Sequence, residues 1–120
     1  SNHKAYIKKS SNFKYSNKIN FAIQAGPPLI VNDKIPKLKK GAASRTALAI
    51  NNKGHIILVV TEFTQISTTF LANFLKKELN CKNALNLDGG GSSQLYINQS
   101  KLKHHILGLT PLPDPICLYN

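Results

Sequence analysis

In the stretch Asn83 to Ile97, NALNLDGGGSSQLYI, a single carboxylate, Asp88, stands at the head of three glycines and two serines. Asp88 offers a general acid or base, or an oxygen ligand for a divalent cation. Gly89, Gly90 and Gly91 lack a Cβ, so their backbone can take positive φ, come close to a ligand and turn amides toward an anion. With the hydroxyls of Ser92 and Ser93, the loop has the makings of a phosphate site. The plainer reading is a tight hairpin turn, because Asp-Gly between two apolar runs is a strong turn signal. Three glycines and two serines exceed what such a turn needs, and each glycine costs conformational entropy on folding.

Arg45, the single arginine among sixteen basic residues, sits between Ser44 and Thr46. It is suited to clamping a phosphate or carboxylate with two donors. The alternative is a surface ion pair with Asp33, Glu62, Glu78 or Asp114. Gln24 and Gly26 form a third polar element, in which Gln24 offers a hydrogen bond to a sugar hydroxyl or simply caps a sheet. His3, His55, His104 and His105 show no i, i+4 pair on a helix, and Cys81 and Cys117 match neither a zinc spacing nor a Cys-x-x-Cys motif. Whether the two cysteines pair is left open by their spacing.

These residues must be positioned by a small framework. A length of 120 residues, 42% of them hydrophobic, suits one compact domain. The formal charge of +11 favours anionic partners such as phosphoesters, nucleic acid or acidic surfaces. The scarcity of arginine argues against nucleic acid, which is usually read with bidentate arginine contacts. No apolar stretch approaches the roughly 20 residues of a membrane span, and no signal peptide is legible.

Along the chain, residues 1–20 read as a basic arm or an edge strand, and 21–120 as a single domain. Asn20 to Gly26 is expected to be a strand, followed by a small hairpin through Leu29 to Val31 and the Asn32-Asp33 turn, then a mobile basic loop from Lys37 to Ser44. Thr46 to Ile50 and Ile56 to Thr61 make a second hairpin around Asn51 to Gly54. Phe70, Leu71, Phe74, Leu75 and Leu79 recur at helical spacing. They place the principal helix at about 67–79, with Ser67 as N-cap and Asn80 as its left-handed end. Ala84 to Leu87 and Gln94 to Ile97 are strands, and Ile106 to Leu109 and Ile116 to Tyr119 add short ones. The fold class expected is α+β, a mostly antiparallel or mixed sheet with one principal helix packed on it.

Taken together, QAGPPLIVNDKIP, SRTALAI, a helix and NALNLDGGGSSQLY resemble the phosphodiester glycosidase family, over about Phe21 to Ile97 and as the C-terminal portion of its domain. The resemblance implies hydrolysis of a sugar-1-phosphodiester that releases the sugar from a phosphate monoester. It implies Asp88, Arg45 and Thr46 as catalytic residues, and Gly89 to Ser93 with Gln24 and Gly26 as the substrate and phosphate wall. No cofactor or metal is implied, and whether a divalent cation takes part stays open. It further implies export, periplasmic or secreted. An N-terminal half of the same domain, with an Asn-Gly or Asn-Ala-Gly segment, is the partner expected to complete the cleft. The rival readings are a non-catalytic module that binds a phosphorylated glycan and, from lysine excess alone, a nucleic-acid binder whose affinity falls steeply with salt.

Overall fold

The computed structural model describes residues 4–119. Its centre is a four-stranded sheet in the order β1-β6-β3-β4. The strands are β1 (Pro28–Ile30), β3 (Thr46–Asn51), β4 (Ile56–Val60) and β6 (Cys81–Asn86). Every neighbouring pair is antiparallel. The expected Thr46 hairpin forms with Leu48 opposite Leu58 and Ile50 opposite Ile56, and Gly54 turns the chain at φ 83°.

The helix α1 (Thr68–Lys77) covers one face of this sheet. Its start is fixed by Ser67, whose hydroxyl accepts the Phe70 amide at 3.0 Å, satisfying one of the donors a helix N-terminus leaves free. Beyond its end Asn80 takes φ 52°, which an Asn side chain tolerates. Leu71, Ala72 and Leu75 are buried against Leu29, Ile30, Ala47, Ala49 and Ala84. Alternation along each strand sends the other set of side chains outward, where Ile56 and Leu58 remain 56% and 38% exposed. The class is therefore α+β, as expected.

Two small ladders complete the framework. β2 (Ala42–Ala43) pairs with β5 (Ile66–Ser67), so the segment expected to be a mobile loop is instead pinned just before Arg45. β7 (Leu95–Gln99) pairs with β8 (Leu102–Ile106). Short 3-10 turns form at Ser10–Asn12 and Gly90–Ser92.

Several local expectations are corrected. Asn20 to Gly26 forms no strand; its side chains are exposed and no described strand pairs with it, so an apolar run lacks the partner a strand requires. Strand β8 occupies Leu102–Ile106 rather than Ile106 to Leu109, and residues 107–119 contain no strand. The Asn32-Asp33 turn holds, with φ 47° and 67°, but is closed by the single bridge Val31 to Lys34.

Both cysteines are free thiols, Cys81 buried and Cys117 exposed. Burial pushes the Cys81 thiol pKa up, which lowers its reactive thiolate fraction. A thiol reagent added to the folded protein is therefore expected to titrate one equivalent, at Cys117, and a second only after denaturation. Removal of the cap by Ser67→Ala is expected to lower stability by about 1 kcal/mol, readable in chemical denaturation.

Candidate functional site

Strand direction decides which residues meet. Because β3 is antiparallel to both β4 and β6, the latter two run parallel to each other and finish on the same edge of the sheet. β1, antiparallel to β6, begins there. Thus Gly26 just before Pro27, Arg45 and Thr46 at the start of β3, and Asp88 two residues after β6 converge on one edge. The pairing continues past the strands: the Asn86 amide donates to the Pro27 carbonyl at 3.0 Å, and the Leu87 amide to the Thr46 carbonyl at 2.8 Å. Gln24 lies farther out on the exposed segment before β1.

The glycine loop is not a hairpin, since β6 and β7 belong to different sheets. It makes a 3-10 turn instead, and Gly90 uses φ 59°. Gly89 is where backbones come closest: a Cβ there would lie 2.8 Å from the Ser44 carbonyl oxygen. That same carbonyl accepts the Gly90 amide at 2.8 Å. The loop is thus seated directly on the residue before Arg45.

Most of the loop's donors are spent in holding this shape. The Gly89 amide donates to Asp88 Oδ1 at 2.9 Å. The Ser92 and Ser93 amides donate to the carbonyls of Gly89 and Gly90, both at 3.2 Å. The Gly91 carbonyl accepts from Leu109 at 2.8 Å, tying the loop to the C-terminal segment. The hydroxyl of Thr46 meets that of Ser93 at 3.1 Å. Behind the loop, Asn86 is buried; its Nδ2 donates to the Leu87 carbonyl at 2.7 Å, while its Oδ1 has no partner.

Arg45 is likewise engaged. Its Nε donates to the Ile66 carbonyl at 3.0 Å and one Nη to the Gly41 carbonyl at 3.0 Å, so it splints β2 to β5. Its backbone amide donates to Thr61 Oγ1 at 2.7 Å. The described residues hold no Arg45 ion pair; the one salt-bridge contact among them joins His104 Nε2 to Glu62 Oε2 at 3.0 Å.

Beside the loop opens a cleft of about 370 Å³. Gly90, Gly91 and Ser93 line it together with Glu62, Phe63 and His105. Asp88, Arg45, Thr46, Gly89 and Ser92 stand at or behind its wall rather than in its lining. Glu62, Phe63 and His105 are not legible as site residues from local motifs. The usable signal is a carboxylate two residues after an apolar strand, the same placement as Asp88 after β6. Phe63 carries φ 53° and is fully exposed, an uncommon conformation for a bulky residue. No group of three or more His, Cys, Asp or Glu side chains is placed to hold a metal among the described residues.

A family model described as phosphodiester glycosidase matches residues 1–118. The chain belongs to this family. Among solved structures it is similar to a hypothetical protein from Synechocystis, at 33% identity and a TM-score of 0.52, over 58% of this chain. It spans 16% of that longer chain. No curated protein matches.

The seating of Gly89 gives a direct test. Gly89→Ala must push backbone from backbone and is expected to cost about 1–3 kcal/mol. Gly26→Ala, with nothing within 4 Å of its would-be Cβ, is expected to stay within about 0.5 kcal/mol of the parent. Paired denaturation curves check both.

Proposed function

We propose that this end of the sheet, with the cleft beside it, hydrolyses a sugar-1-phosphodiester, freeing the sugar and leaving a phosphate monoester. The observation that carries this reading is the convergence of Asp88, the Gly89 to Ser93 loop and the Arg45-Thr46 start of β3 on one sheet edge, in a chain of the phosphodiester glycosidase family.

The chemistry is set by the leaving group. A phosphate monoester is a weak base, so its departure needs stabilisation of negative charge more than protonation. Fixed donors supply that without reorganising during the reaction. Since the amides of Gly89, Gly90, Ser92 and Ser93 are internally bonded, the donors assigned to phosphate are the Gly91 amide and the loop hydroxyls, with Arg45 and the lysine-rich surface adding positive field. Asp88 is assigned to the sugar side, where its carboxylate stabilises the oxocarbenium-like charge that develops at the anomeric carbon. Gln24 and Gly26 are assigned to the outer wall. As part of the same proposal the protein is exported, periplasmic or secreted, a reading supported by the family resemblance alone.

In a second reading further polypeptide of the same domain completes the cleft; the uncovered Ile56 and Leu58 on the outer sheet face offer it a surface to pack on.

The test is release of sugar from an N-acetylglucosamine α-1-phosphodiester. The parent protein is expected to release sugar, and Asp88→Asn to do so at least a hundredfold more slowly. Binding without release would instead identify a glycan-binding module. Affinity for nucleic acid that collapses with added salt, and none for the sugar phosphodiester, would favour the electrostatic alternative.

A further inference from the structure

Glu62 belongs to none of the sequence motifs of this chain, yet it lines the same cleft as the glycine loop, and His104, which stands outside that lining, holds its carboxylate. Resting on the hydrolytic reading above, we propose that Glu62 is the second carboxylate of the reaction, the base that activates water for single displacement, with His104 as its positioning residue.

Three observations meet here. First, Glu62 and Asp88 occupy equivalent places, each two residues beyond the last residue of its strand, β4 and β6. Those strands are parallel and separated by β3 alone, so their backbones stand about 9.5 Å apart, two strand spacings. Inverting glycosidases need room for a water between their two carboxyl groups, and the intervening strand β3 keeps the segments that carry Glu62 and Asp88 from direct contact. Second, Glu62 lines the same cleft as Gly90, Gly91 and Ser93, so a phosphodiester seated on the loop lies in a cleft that Glu62 also borders. Third, the carboxylate is held: His104 Nε2 lies 3.0 Å from Oε2, and Oε1 carries no protein hydrogen bond among the described residues. A fixed carboxylate with one free oxygen is the arrangement a water-activating base requires.

The step balances without a co-reactant. Water oxygen bonds to the anomeric carbon as Glu62 takes one of its protons. The bond from that carbon to the phosphate oxygen breaks, and its electron pair leaves on the phosphate monoester. Glu62 then returns the proton to solvent. An α-linked phosphodiester must therefore yield the β-sugar first.

The experiment tracks the anomeric proton by NMR while the full chain cleaves an N-acetylglucosamine α-1-phosphodiester, before mutarotation mixes the anomers. Initial rates are measured alongside for the parent, Glu62→Gln and Glu62→Asp. The expected result is β-sugar as first product. Glu62→Gln should lower kcat on the order of a hundredfold or more with KM nearly unchanged, and Glu62→Asp should recover part of the rate. His104→Ala is expected to lower kcat by a smaller factor, again without raising KM. Sugar release with the α anomer first, or with Glu62→Gln at the parent rate, overturns the role of Glu62 and leaves the hydrolytic function standing. If Glu62→Gln does not fold, the product anomer from the parent decides. No release by the parent removes the hydrolytic reading and this one with it.

Discussion

The arrangement depends on the pairing of β3 with both β4 and β6. One central strand with two antiparallel neighbours forces those neighbours to run the same way, and so to deliver their trailing loops to one edge. Backbone hydrogen bonding alone brings Glu62 and Asp88, distant in sequence, to flank Arg45 and Thr46. The bonds that extend the ladder past its formal ends, Thr61 to Arg45 and Leu87 to Thr46, carry this order into the loops. The edge is thereby fixed before any side chain contributes.

Side chains then stiffen the edge rather than reach from it. Arg45 ties Gly41 to Ile66, the Thr46 hydroxyl meets that of Ser93, and Asn86 restrains Leu87. Arginine placed between two carbonyls keeps its charge near the start of β3 while its donors hold backbone. The positive field and the scaffold are the same group. Its value to an anion is therefore electrostatic and architectural together, and truncation removes both. Hydrogen bonds from a charged donor are worth about 1.5–3 kcal/mol, enough to loosen the pinned segment before β3.

Much of this is legible in the sequence because it is local. The helix is announced by its apolar spacing and by Ser67, and the Thr46 hairpin by two apolar strands around a Gly54 turn. The glycine run declares an unusual loop, although its amides turn inward more than the composition suggests. What cannot be read is non-local. Asn20 to Gly26 has strand-like residues and no partner, while Leu102–Ile106, with three of its five residues Lys or His, pairs because β7 is beside it. Pairing decides what propensity cannot. In the sequence Glu62 is one of several acidic residues that could pair with Arg45; only the topology reveals it as the counterpart of Asp88, and only the β7–β8 hairpin supplies His104.

Between the larger Leu29, Ile30, Leu71 and Leu75, four alanines fill the contact of helix and sheet: Ala47, Ala49 and Ala84 beneath, Ala72 above, each fully buried. Methyl groups allow α1 to lie low on the strands, and a close-packed interior has no slack to absorb added methylenes. Any side chain larger than alanine at these four positions must therefore displace its neighbours, whereas the outer face, with Ile56 and Leu58 half in water, has room for larger ones. The molecule thus has one side whose spelling is dictated by space and another free to vary with whatever it meets.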